Sequence, residues 1–115
     1  MRLLHKKTLQ FEEFIGDDAP SYGILSHTWG KDEITFVDMV RYNEGDEEQR
    51  ARVEKKLGWK KIRFMQNITR DVKEINHFWV DTCAIDKSSS AELSEAINSM
   101  FRWYRRAHAC YAYLT

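Results

Sequence analysis

Between residues 78 and 114 the hydrophobic pattern changes period twice. Phe78 to Thr82 is a short apolar run, Ala91 to Ala107 carries apolar residues at helical spacing, and Cys110 to Leu114 is again a short apolar run. Leu93, Ala96, Ile97, Met100, Phe101 and Tyr104 form one stripe of that helix. Arg102, Arg105 and Arg106 fall in its last turns, where cations complement the helix dipole. The alternation begins further upstream. Tyr22 to His27 reads as a short strand. Trp59 to Ile75 reads as a helix, with Ile62, Met65, Ile68, Val72 and Ile75 at three- and four-residue steps and Asn76 as its stop. Strand, helix, strand, helix, strand predicts an α/β fold with a mostly parallel central sheet flanked by helices. The crossovers are expected to be right-handed.

The remaining segments are less patterned. Leu3 to Phe11 is expected to be extended, and Pro20 marks a turn. Ile34 to Val37 reads either as a short strand or as the start of a helix through Met39. The polar stretch Asn43 to Lys56 reads as a surface loop or an exposed helix start. A length of 115 residues fits one domain, 1–115, and an apolar fraction of 43% supplies one core. Lys+Arg and Asp+Glu both number 18. That balance speaks against a nucleic-acid partner, which needs a basic face, and against a membrane-surface module. No apolar run reaches transmembrane length, and the N-terminal stretch MRLLHKKTLQF is too short in apolar residues for a signal peptide. Asn67-Ile68-Thr69 is then a chance sequon, and the expected compartment is the cytoplasm. Cys83 and Cys110 show no CxxC pair and no metal-ligand spacing, so both are expected to be buried, reduced thiols.

Two polar clusters end the predicted strands. In SYGILSHTWGKDE, Ser26, His27, Thr28 and Trp29 follow Leu25; in HFWVDTCAIDKSSSAELSEAI, Asp81, Thr82 and Cys83 follow Val80, with Asp86 close behind. Ligands of open parallel sheets bind beyond the carboxyl ends of the strands. Ser26, His27, Asp81 and Glu92 are therefore expected to line one cleft. Ser26 and His27 alternate across the strand and cannot form a nucleophile–base pair with each other. Ser89-Ser90-Ala91-Glu92 also matches a capping box, in which Glu92 reaches back to the Ser89 backbone. Rotation by about 100° per residue puts Glu95 in solvent and Glu92 on the flank of the apolar stripe, so Glu92 is the glutamate placed for chemistry. A metal site from His27, Asp81 and Asp86 lacks diagnostic spacing, and none is expected.

The blocks YGILSHTWG, HFWVDTCAIDK and SSSAELSEAINSMFRWYRRAHACYAYL resemble, in order and spacing, the signature blocks of the fungal heterokaryon-incompatibility (HET) domain. The resemblance runs from MRLLHKKTLQFEEF to the last strand. It implies a cytoplasmic effector of cell death in self/non-self recognition, working by self-association or with a partner signalling domain. It also implies a distant kinship to TIR domains, which are flavodoxin-like and in many cases cleave NAD. Glu92 then matches the catalytic glutamate, with Glu95 as the alternative. Ser26, His27, Thr28, Trp29, Asp81, Cys83 and Asp86 are the implied substrate-binding residues, with NAD as substrate rather than cofactor. No glycine-rich phosphate loop is present, so a dinucleotide would bind in another mode. The family domain continues past the last strand, so a fragment with an incomplete sheet is also implied.

Overall fold

The computed structural model describes residues 1–15 and 18–114. Its elements are β1 (Arg2–His5), β2 (Phe11–Glu13), β3 (Tyr22–Ser26), α1 (Phe36–Glu44), α2 (Glu47–Glu54), α3 (Trp59–Thr69), β4 (His77–Trp79), α4 (Asp81–Ala84), α5 (Ser90–Arg106) and β5 (Ala109–Ala112). The strands form one sheet in the order β2-β1-β4-β3-β5. β3 pairs parallel with β4 and with β5, whereas β1 pairs antiparallel with β2 and with β4. The class is α/β as expected, but the sheet is mixed and not mostly parallel. The cause is local. Residues 6–10 are too few for a crossover, and the bonds Leu9 N–H to His5 C=O (2.8 Å) and His5 N–H to Gln10 C=O (3.0 Å) fold the expected extended run into a hairpin.

The strands feed two cores. Leu4, Leu25, Phe78 and Val80 pack with Met39, Ile62 and Met65 of α1 and α3 on one face. Leu3, Tyr22, Ile24 and Trp79 pack with Ala96 and Trp103 of α5 on the other. Helices α1 to α3 carry the chain from β3 to β4, and α5 carries it back across β3 to β5. Crossovers of one hand that run in opposite directions along a sheet must cover opposite faces. The segments leaving the carboxyl ends of β3 and β4 therefore part company between these neighbouring strands. That divergence is the switch point at which open sheets hold their ligands.

Several boundaries differ from the sequence reading. Ile34 to Val37 is the entry to α1, whose Thr35 N-cap and Asp38 form a reciprocal capping box. The polar stretch 43–56 contains α2, capped by Asp46. α3 ends at Thr69 rather than Ile75, because the buried Lys6 ammonium binds the carbonyls of Thr69 and Val72 at 3.0 Å each and closes the helix there. Ile75 still reaches the core through a turn. The strand expected over Phe78 to Thr82 stops at Trp79, and Asp81 opens a single helical turn. In α5 the buried row runs through Ala96 and Trp103, with Leu93, Met100 and Tyr104 beside it. Ile97 and Phe101, expected in the stripe, are 66% and 74% exposed. Cys83 is buried, but Cys110 is exposed on β5, and both are free thiols. Among the described residues no helix is long and apolar enough to cross a membrane.

Candidate functional site

At the switch point the crevice is filled by a chain of polar side chains. β3 alternates, so Leu25 and His27 share the face covered by α3. The His27 side chain is 1% exposed, and its Nε2 lies 2.7 Å from Asp81 Oδ1 at the end of β4. Trp29 Nε1–H donates to Asp81 Oδ2 at 2.7 Å. On the other side of the imidazole, Nδ1 lies 2.8 Å from the Lys61 ammonium. Lys61 also donates to Glu33 Oε2 at 2.5 Å and to the Thr28 carbonyl at 3.0 Å. An ammonium has three N–H groups and no lone pair, so all three are used and His27 Nδ1 must be the acceptor. The imidazole proton then sits on Nε2 and points at Asp81. Burial pushes the Asp81 carboxyl up, but the His27 and Trp29 hydrogen bonds outweigh it and hold the group below the usual carboxylate range. Lys87 stands 3.5 Å from the centre of the Trp29 ring, and burial lowers its ammonium against the opposing pull of Asp81.

Lys61, Glu33 and Lys87 did not stand out in the sequence. A signal was present for Lys61, which sits one turn before Met65 on the apolar side of α3; a lysine in that row has to be buried and must find acceptors. Glu33 and Lys87 lie in loops without any periodic cue.

Glu92 belongs to a different setting, on the α5 face of the sheet. Ser89 Oγ accepts from the Glu92 N–H at 3.3 Å, which makes Ser89 the N-cap. The reciprocal half of the expected capping box is missing, because the Glu92 carboxylate turns elsewhere. Its Oε1 accepts from the Asp86 N–H at 3.1 Å and pairs with the Arg2 guanidinium of β1. Arg2 further binds the Ala84 carbonyl at 2.8 Å and Glu13 at 3.1 Å. A cavity of about 340 Å3 opens beside this pair, lined by Arg2, Trp79, Ile85, Glu92 and Trp103 among others; exposed Glu95 also reaches it. None of Ser26, His27 and Asp81 lines that cavity, so the four residues expected in one cleft divide between the two faces.

Of the other expected site residues, Ser26 is half-buried, and its carbonyl accepts from the Tyr113 N–H at 2.9 Å. Thr28 contributes its carbonyl to Lys61. Cys83 is fully buried with Sγ directed to the Val80 carbonyl at 3.7 Å, and burial pushes its thiol far up. Asp86 accepts from the Ser88 N–H and hydroxyl at 3.1 and 2.6 Å, and these bonds lower its carboxyl.

A family model described as heterokaryon incompatibility protein (HET) matches residues 22–115. Over 99 residues the chain is 55% identical to vegetative incompatibility protein HET-E-1 of Podospora anserina. That alignment covers 84% of this chain and 6% of the relative, so the chain spans a small fraction of the relative's length. No solved structure matches the chain significantly.

Proposed function

The chain belongs to the HET family, and from that premise we propose that it is an effector of the cell-death reaction by which fungi reject incompatible fusion partners. The observation that carries this reading is the 55% identity to a protein named for vegetative incompatibility. The chemistry we assign to it is hydrolysis of NAD at the nicotinamide–ribose bond, by analogy with TIR domains. Water adds to the ribose carbon, nicotinamide leaves with the bonding electrons, and one proton is released. The intermediate is an oxocarbenium-like ribosyl cation. Glu92 suits the stabilisation of such a charge. Its carboxylate is fixed through Oε1 by Arg2 and the Asp86 N–H at the edge of a cavity, while Oε2 makes no bond among the described residues. Held against the Arg2 guanidinium, the carboxylate has an electrostatic part in this reading. The His27–Asp81 chain serves this reading from a distance, by tying the ends of β3 and β4 together.

A second reading, assembly without chemistry, draws support from Ile97 and Phe101, which stand one turn apart and exposed on α5. One experiment separates the two. The protein at high concentration is given NAD, and nicotinamide is followed by chromatography for the wild type, Glu92→Gln and Glu95→Gln. The enzyme reading expects release by the wild type, none by Glu92→Gln and near-normal release by Glu95→Gln. Glu92→Gln loses an ion pair to Arg2 that is partly exposed, which costs about 1 kcal/mol of stability. Activity lost only in step with stability, or no release by the wild type, transfers the function to assembly. Inactive Glu95→Gln alone moves the catalytic role one turn along α5.

A further inference from the structure

On the α3 side of the sheet, loop 28–33, the start of α3 and Tyr113 enclose a second cavity of about 330 Å3. That volume lies at the lower end of small-molecule sites. Two of its walls are apolar side chains left open to solvent, Trp29 at 53% and Leu57 at 62% exposure. Lys31 and Lys60 also line it, and neither has a charged or hydrogen-bonded side-chain partner among the described residues. The remaining charges are spoken for: Glu33 takes the Lys61 ammonium and the Gly30 N–H at 2.7 Å. The cavity therefore carries two unanswered positive charges beside an aromatic wall.

That wall is rigid before any ligand arrives. The Trp29 indole is tied at Nε1 to Asp81 and covered on one face by Lys87, which does not line the cavity. The floor is equally fixed. Any Cβ on Gly58 would stand 2.7 Å from the Ile34 nitrogen and 2.8 Å from Glu33 Cα, so only glycine lets loop 32–34 lie against the start of α3. A preorganised ring and two free ammonium groups select for a ligand that is both planar and anionic. A bare base would leave the ammonium groups unanswered, and a bare phosphate would leave Trp29 and Leu57 wet.

We propose that this cavity binds a planar anion of the nucleoside-monophosphate class, with its ring on Trp29 and its phosphate between Lys31 and Lys60. The site is separate from the Glu92 cavity and does not rest on the function proposed above. The test is titration of the 115-residue chain with AMP, adenosine and inorganic phosphate, read by calorimetry and by tryptophan fluorescence. Trp29 is the one exposed tryptophan, since Trp59, Trp79 and Trp103 are all below 10% exposure, so quenching reports on this site. AMP is expected to bind saturably, with adenosine and phosphate each about tenfold weaker. AMP binding should weaken as salt is raised. Lys31→Gln and Lys60→Gln, both exposed and without a side-chain partner among the described residues, should each weaken it about threefold at unchanged thermal midpoint. Glu92→Gln should leave it unchanged, although the same variant tests NAD cleavage. The proposal is overturned by an absence of saturable AMP binding, by binding indifferent to salt and to both lysine variants, or by binding lost in Glu92→Gln.

Discussion

Replacing Lys61 with methionine keeps the length and volume of the side chain and removes the charge at the centre of the switch-point chain. The Lys61 and Glu33 side chains are 9% and 10% exposed, so water cannot replace the lost ammonium. Glu33 would keep only the Gly30 N–H, while His27 Nδ1 and the Thr28 carbonyl would lose their donor. Removing one partner of a buried ion pair costs about 3–5 kcal/mol, because the other charge stays behind in a poor solvent. For a chain of 115 residues each kcal/mol moves the thermal midpoint by about 4 °C, so Lys61→Met should fall by about 12–20 °C. The double variant Lys61→Met with Glu33→Gln carries no stranded charge and should recover about half of the loss. Chemical denaturation of the wild type, both single variants and the double closes the cycle, and a coupling above about 1 kcal/mol is expected. If Lys61→Met costs less than about 1 kcal/mol, or the double variant is no better than the sum of the singles, the ammonium is solvated and the chain does not hold β3 to α3.

Acid should loosen the same region. The Asp81 carboxyl lies below the unfolded value of about 3.9, so its contribution is complete above that pH and is lost as pH falls through the folded value; Asp81→Asn should flatten the acid limb of a stability–pH curve. Gly58→Ala should destabilise by about 1–3 kcal/mol, because the added methyl meets backbone atoms and not a side chain that can swing away, and urea unfolding measures it. Cys110 should react with a thiol reagent in the native state and Cys83 only on unfolding, with two thiols titrated per denatured chain; fast labelling of both would contradict the burial of Cys83.

The parallel half of the sheet was legible because the long, periodic helices α3 and α5 separate its short apolar runs. The antiparallel half was not. β1 and β2 are as short as β5 and β4, but only residues 6–10 separate them, with no periodic helix between to set them apart. The phase of α5 misled because Ala96 and Trp103 set the packing face, and at about 100° per residue Ile97 turns away from Ala96 by more than a quarter circle. The His27–Asp81 pairing was legible as two polar strand ends at one sheet edge. Glu92 was wrongly placed with them, because the sequence does not show that Arg2, remote along the chain, waits on the opposite face to take its carboxylate.

The two rims of the sheet are chemically unlike. β2 contributes Glu12 and Glu13, both exposed, whereas β5 runs Ala-Cys-Tyr-Ala without a charge. Charged side chains on an edge strand discourage docking of a foreign strand, and an uncharged edge lacks that guard. Among the described residues only the β2 border carries that guard.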